Sequence, residues 1–190
     1  MTAGLILAGG ASRRMGSPKA LLKYRGEMFI QRLQRIFLMH CDPVVVVLGH
    51  DAELIRPSVD ERVRICVNSD PERGMLSSLQ TGLAELNRAD RILFLPLDYP
   101  GVASDTIAKL CAMPPCVIGM PRYQGRRGHP VLISQKVAQE ISVLPRDRAG
   151  RDVIRAHNHE VEYLDVDDPA ILIDVDTPED YQALVERLQS

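Results

Sequence analysis

The sequence predicts an α/β protein of three layers, α/β/α, built on a mainly parallel sheet. Two observations predict it. Short, uniformly apolar runs such as Gly4–Ala8 and Val44–Gly49 end at glycine or at an acidic residue, as buried strands do. Between them lie segments whose apolar residues recur at helical spacing. Alternating strands and helices imply crossover connections and a sheet covered on both faces. No linker or shift in composition divides the 190 residues, so one domain over 1–190 is expected.

The elements follow in order. "GLILA" is the first strand, and Glu27–His40, with Phe29, Ile30, Leu33, Ile36 and Phe37 on one face, is the first helix. "VVVVLG" is the second strand, followed by a short helix at "ELIR". Val63–Val67 is a strand, Ser77–Asn87 a helix, and Arg91–Asp98 a strand running into a carboxylate. The second half is less regular. Helices are expected at "DTIAKLC", "SQKVAQEI" and "GRDVIRAH", and strands at "CVIGM", "PVLI", "VEYLDV" and "ILIDV". A last helix covers "TPEDYQALVERLQ", where Thr177 caps, Pro178 suits the first turn and Asp180 completes a capping box.

Composition excludes several classes. The net charge of −2 leaves no bulk basic surface for nucleic acid. The chain has no tryptophan and few aromatics with which to stack bases. No apolar run approaches the roughly 20 residues of a membrane span. The first residues carry no basic head before the apolar run, so no signal peptide is expected. The four cysteines, Cys41, Cys66, Cys111 and Cys116, lie in or beside apolar segments without a usual zinc spacing. They read as free thiols of a cytoplasmic protein.

Charge is concentrated after the first strand, in "LAGGASRRMGSPK". In an open parallel sheet, ligands bind beyond the carboxyl ends of the strands. Gly9 and Gly10 let the backbone approach a ligand closely, and Arg14 and Lys19 add positive charge, a combination suited to polyphosphate. Neither the G-x-G-x-x-G fingerprint nor the G-x-x-x-x-G-K-[ST] loop fits.

This loop resembles that of the molybdenum-cofactor nucleotidyltransferases, L-A-[AG]-G-x-S-x-R-M-G-x-x-K. The matching residues are Leu7, Ala8, Gly9, Gly10, Ser12, Arg14, Met15, Gly16 and Lys19, with Arg13 at the variable position. The resemblance continues through Asn68–Leu83, Leu95–Val102, Arg126–Ile133 and Asp174–Tyr181, and so covers the chain in order. Gly128-His129-Pro130-Val131 and Asp174-Val175-Asp176-Thr177-Pro178 resemble the cytidylyl branch. The double glycine is common in the guanylyl branch. Pro96-Leu97 before Asp98, and Gly150 after Ala149, depart from the usual pattern.

The resemblance implies a Rossmann-like, glycosyltransferase-A-like fold and transfer of CMP from CTP to molybdopterin, with release of pyrophosphate. A GTP-dependent relative, a transferase for another phosphorylated acceptor, and a nucleotide-binding chaperone of molybdoenzymes are the alternatives. Brief contact with a recipient molybdoenzyme is also implied. The expected nucleotide site comprises Leu7, Ala8, Gly9, Gly10, Ser12, Arg14, Lys19, Asn68, Gly74, Ser77 and Ser78. Arg14, Lys19 and Asp98 are the expected catalytic groups. His129, Pro130 and Arg151 are expected at the acceptor. Asp98 ends a strand on the binding edge and suits Mg²⁺ or Mn²⁺. The resemblance adds Asp174 as a second metal contact, whereas Asp176, beside the capping Thr177, is expected to serve local structure. His40, His50, His157 and His159 read as exposed.

Overall fold

The computed structural model describes residues 1–12 and 14–186. Arg13 and the end of the expected last helix, residues 187–189, lie outside the described residues. The first strand, β1 (Thr2–Ala8), is buried along its whole length. A two-residue hairpin follows, β2 (Lys23–Tyr24) and β3 (Glu27–Met28). Sequence periodicity had placed Glu27 in the first helix. Arg25 and Gly26, both at positive φ (54° and 81°), make the tight turn that takes it into the hairpin. Helix α1 (Phe29–His40) then starts at Phe29, and five of its buried residues are the apolar ones read from the spacing.

β4 (Val44–Leu48), the short α2 (Ala52–Ile55), β5 (Arg64–Val67) and α3 (Met75–Glu85) complete the first half. β6 (Arg91–Pro96), α4 (Ser104–Cys111), β7 (Ile118–Tyr123), β8 (Arg126–Arg127) and β9 (Val131–Ser134) follow. Last come α5 (Gln135–Ser142), α6 (Gly150–Ala156), β10 (Val161–Asp165) and α7 (Pro178–Glu186).

The sheet order is β10-β7-β9-β6-β1-β4-β5, with β8 pairing only β7. β1 is parallel to β4 and β6, and β4 to β5. β9 runs antiparallel to β6 and β7, and β10 parallel to β7. Six strands therefore point one way, with β8 and β9 reversed. The expected mainly parallel sheet with flanking helices is the observed one.

Alternation along each buried strand serves two cores. Ile6, Ala8, Val46, Leu48, Leu93 and Leu95 face α1, α2, α4 and α7. Leu5, Leu7, Val45, Val47, Ile92 and Phe94 face α3, α5 and α6. Each fully buried Leu, Ile or Phe contributes about 1.5–3 kcal/mol, so the two cores hold the central strands rigid beneath the loops they carry.

"ILIDV" is not a strand. Residues Pro169–Leu172 form a 3-10 turn, and an irregular segment follows. Its backbone is tied singly to loops, Ile171 O accepting from His129 N (3.0 Å) and Val175 N donating to Asp98 O (2.8 Å), so no ladder partner is required. His157 is buried at 9% exposure, between Glu160 (2.6 Å) and Glu140 (2.7 Å), not exposed as its sequence position suggested. Those two contacts, Glu140 first, raise its pKa. His40 is half-buried against Ser104, whereas His50, beside Glu72, and His159 are exposed as expected. All four cysteines are free thiols, with Cys41 and Cys111 sulfurs 3.6 Å apart.

Close backbone contact locks the loop after β1 onto the sheet. A Cβ at Gly49 would lie 2.2 Å from the Gly9 carbonyl oxygen, and one at Gly9 would lie 2.5 Å from Ser78 Oγ. A Cβ at Gly10 would meet nothing within 4 Å. Gly49→Ala is therefore expected to cost about 1–3 kcal/mol in urea unfolding, as overpacking does. Gly10→Ala should stay within about 0.5 kcal/mol of wild type. Equal stability of the two variants would contradict this account of the loop.

Candidate active site

Chain order sets the position of the site. From β1 the chain moves outward through β4 to β5, then returns to the other side of β1 for β6. The strand order reverses at β1 and β6, where open α/β sheets bind ligands. Leu7 pairs with Pro96, and Leu97 N donates to Leu7 O (3.0 Å). The two strands thus end together, with Gly9 and Gly10 on one side and Asp98 on the other. The substitution Pro96-Leu97 leaves this register intact, and Leu97 packs into the core beneath.

A cleft of about 460 Å³ opens there. Leu7, Ala8, Gly9, Gly10, Ser12, Arg14, Lys19, Gly74, Ser78 and Asp98 of the expected site all line it. Ser12, at φ 47°, closes the loop on itself: its hydroxyl accepts from Lys19 N (3.0 Å) and its carbonyl from Met15 N (2.9 Å). These bonds bring Lys19 back to the strand end. Arg14 stays exposed at the rim.

Asn68 and Ser77, also expected to touch nucleotide, are buried behind the wall at 4% and 3% exposure. Asn68 Nδ2 donates to Ser77 Oγ (2.8 Å) and Ser78 Oγ (3.0 Å), while its Oδ1 accepts from Asp70 N (3.0 Å). Ser77 Oγ sits 3.0 Å from the carbonyls of Asp70 and Gly74. In this structure Asn68 fastens the loop at Gly74 to α3, and Ser78 is the member that reaches the cleft.

The carboxylates differ from expectation. Asp174 is exposed and off the cleft wall, whereas Asp176 lines it and bonds to Lys19 Nζ at 2.5 Å. Two anchors explain this. Val175, fully buried, is held to the Asp98 carbonyl. The α7 capping box, with Asp180 Oδ2 accepting from Asp176 N (3.1 Å) and Thr177 N (2.8 Å), fixes the other side. Tyr181 OH, bonded to Lys23 O (2.8 Å), docks α7 beside the loop. The Thr177-Pro178 cap was visible in the sequence, but the contact between residues 157 positions apart was not.

Asp98 carries the strained charge. Burial pushes its carboxyl from 3.8 up to about 6. Lys19 pulls it down, while Asp176 and Asp174 push it further up. Its Oδ1 is buried without a hydrogen-bond partner among the described residues. A cation would satisfy that oxygen. Among the described residues, no three His, Cys, Asp or Glu side chains converge to hold a metal alone. Mg²⁺ and Mn²⁺ do not require such a cage, since one or two carboxylates plus substrate phosphates suffice for Mg²⁺. The donor set at Asp98 and Asp176 fits that chemistry.

Beyond Asp98 the wall becomes aromatic. Tyr99 packs on His129 with ring centroids 4.7 Å apart, and Phe94 meets the same imidazole edge-on at 6.1 Å. Burial pushes His129 down to about 4, leaving it neutral, and its Nδ1 has no partner among the described residues. Burial first, then Asp174, Asp98 and Asp176, raise the Tyr99 phenol. Tyr99 lies within the Leu95–Val102 segment of the resemblance, which gives it no role of its own. Pro130 is buried beside His129. Arg151 is exposed on the first turn of α6 and does not line the cleft.

Residues 4–161 match the MobA-like NTP transferase domain. Nicotine blue oxidoreductase of Paenarthrobacter nicotinovorans is 33% identical, covering 96% of this chain and 95% of that one. The molybdenum cofactor cytidylyltransferase of Escherichia coli K12 is 23% identical over 96% and 95%. A probable molybdenum cofactor guanylyltransferase of Methanothermobacter thermautotrophicus is 36% identical over 55% of this chain and 54% of its own. The structure of Rv0371c from Mycobacterium tuberculosis H37Rv superposes with a TM-score of 0.85 at 31% identity, with 97% of each chain covered. A manganese complex of Rv0371c superposes at 0.81, with 29% identity over 97% and 98%.

The Asp98 shift has a consequence for stability. At roughly 1.4 kcal/mol per tenfold change in proton affinity, ionising Asp98 in the folded chain costs about 3 kcal/mol. The folded state holds this proton more tightly than the unfolded state. The resulting stabilisation is complete below about pH 4 and is lost as pH rises through about 6. Asp98→Asn is therefore expected to be more stable than wild type at pH 8 by about 1–3 kcal/mol in urea unfolding, with the difference vanishing near pH 4. A variant that is less stable at pH 8 would contradict the burial cost assigned to this carboxylate.

Proposed function

Because the chain belongs to the MobA-like NTP transferase family, we propose that this nucleotidyltransferase moves CMP from CTP to molybdopterin and releases pyrophosphate. The single observation that carries the reading is the meeting, in one cleft, of the glycine loop, Lys19, Asp98 and Asp176. The phosphate of such an acceptor has a second pKa near ~6 and is already anionic at neutral pH. It can attack the α-phosphorus without a general base. The remaining requirements are alignment and charge compensation.

The chain's own groups divide this work. Gly9 and Gly10 let the backbone lie against the triphosphate. Lys19 and Arg14 offset the charge that grows on the leaving pyrophosphate. Ser78 and Gly74 border the ribose and base, backed by the Asn68 network. Asp98 and Asp176 would hold Mg²⁺ or Mn²⁺, which would supply charge neutralisation to the phosphates. Asp174 adds negative potential nearby. His129, neutral and with Nδ1 unpaired, offers the acceptor a hydrogen bond from an aromatic wall shared with Tyr99. Arg151 would reach the acceptor only from outside the cleft.

CTP is preferred over GTP because "GHPV" and "DVDTP" agree at two separate places, against the single double glycine. The second reading, an oxidoreductase, is favoured by the similarity to nicotine blue oxidoreductase. The loop does not follow the dinucleotide fingerprint, which weighs against it.

Pyrophosphate release should be measured with each of the four NTPs, with and without molybdopterin, in Mg²⁺, Mn²⁺ or excess chelator. CTP with molybdopterin and metal should be productive, and preferred by orders of magnitude, since a site that hydrogen-bonds its substrate can reject an analogue by about 10⁴. Preference for GTP would move the chain to the guanylyl branch. Oxidation of a reduced pyridine nucleotide without pyrophosphate release would favour the oxidoreductase, and full turnover in chelator would remove the metal role.

Lys19→Ala is expected to lower turnover about a hundred- to thousandfold while the fold persists. His129→Ala should raise KM for molybdopterin or lower kcat while leaving CTP binding nearly unchanged. Loss of CTP affinity in His129→Ala would overturn the division of the cleft described here.

A further inference from the structure

Lys19 and Asp176 occupy each other. The ammonium lies 2.5 Å from Asp176 Oδ1, and the Lys19 side chain is only 14% exposed. A buried cation is thereby kept paired. Both residues nevertheless line the cleft. A triphosphate needs the cation, and a metal ion needs the carboxylate. While the pair is closed each ligand competes with the partner already there: Asp176 Oδ1 takes one of the three ammonium donors, and the lysine's charge opposes a cation at the carboxylate. In the same cleft Asp98 Oδ1 is buried without a partner among the described residues.

The surroundings make the pair a device and not an incidental surface contact. Asp176 cannot drift, because Asp180 holds its backbone N–H and Val175 is anchored to Asp98 O. Lys19 is fixed at its own backbone by Ser12 Oγ, and its four-carbon stem has the rotatable bonds through which the ammonium can change partner. The moving part is therefore the lysine, between a carboxylate and the phosphate-facing loop. The charged and titratable groups around the pair are Asp98, Asp174, Asp180 and Tyr99. Once Lys19 leaves, this cluster holds more negative charge than one cation can offset, which favours a divalent ion.

We infer that Asp176 is a positioning residue that latches Lys19, and that the polyphosphate of a nucleoside triphosphate opens the latch, freeing Asp176 to join Asp98 in holding a divalent cation. Nucleotide and metal then bind with positive coupling, and the metal site is incomplete until phosphate takes the lysine. This rests on the proposed nucleotidyltransferase reading only in naming the triphosphate as the key.

The test measures Mn²⁺ affinity by calorimetry, with no acceptor and no turnover. Lys19→Met should bind Mn²⁺ about tenfold more tightly than wild type in the absence of nucleotide, within the range usual for coupled sites. Adding Asp176→Asn to Lys19→Met should abolish that gain. Unchanged affinity in Lys19→Met would overturn the latch. A gain that survives Asp176→Asn would also overturn it, since the lysine would then act only through general charge.

The unsubstituted protein supplies a second measurement. With ¹⁵N-lysine labelling, the α,β-methylene analogues of CTP and GTP should shift the Lys19 Nζ resonance as it changes partner. A resonance unmoved by a bound analogue would overturn the proposal. Because these readouts need no transfer reaction, the latch can fail while cytidylyl transfer stands, and transfer can fail while the latch stands.

Discussion

The side-by-side pairing of β1 and β6 is the constraint on which the rest depends. It is a backbone register, Leu7 against Pro96, and it brings a glycine loop and a strand-end carboxylate together without any side chain choosing the other. Cores on both faces hold those two strands, so the positions of Gly9 and Asp98 are inherited from packing that lies well below the cleft. Charge is then added from elsewhere in the chain. Lys19 is returned by the Ser12 turn, and Asp176 is delivered by the cap of α7. Three segments distant in sequence thus converge on one strand end.

The site is costly in the way functional sites commonly are. Asp98 is buried enough to resist ionisation, and one of its oxygens has no partner. An Asn or Leu there would suit folding better. The neutral imidazole of His129, also with an unpaired nitrogen, is a second concession. Both lie beside Tyr99, so Asp98 Oδ1 and His129 Nδ1 fall along one wall, whereas Arg73 Nε and Gln135 Oε1, also buried without a hydrogen-bond partner among the described residues, lie elsewhere.

Much of this was legible in the sequence. The apolar runs that became β1, β4 and β6 carried their own signature, and the α7 capping box was read from Thr177, Pro178 and Asp180 alone. The glycine loop is marked by its resemblance to the nucleotidyltransferase signature L-A-[AG]-G-x-S-x-R-M-G-x-x-K. Other features had no local signal. The Arg25-Gly26 hairpin was hidden inside a helical periodicity, and only its positive φ angles reveal it. "ILIDV" looked like a strand because burial, not pairing, made it apolar. Asp176 was assigned to the cap and Asp174 to the metal, since spacing cannot show which of two carboxylates meets a lysine across the chain. Asn68 and Ser77 were read as ligand contacts, but they spend their hydrogen bonds on each other and on the backbone.

The most direct test of the account is a crystal structure with Mn²⁺ and a non-hydrolysable CTP analogue, read by the anomalous signal of manganese. The account predicts one manganese bound to Asp98 Oδ1 and to Asp176, with the triphosphate along Gly9 and Gly10 and Lys19 turned from the carboxylate to phosphate. Manganese bound away from Asp98, or a triphosphate lying outside the cleft between β1 and β6 with Lys19 still on Asp176, would contradict it.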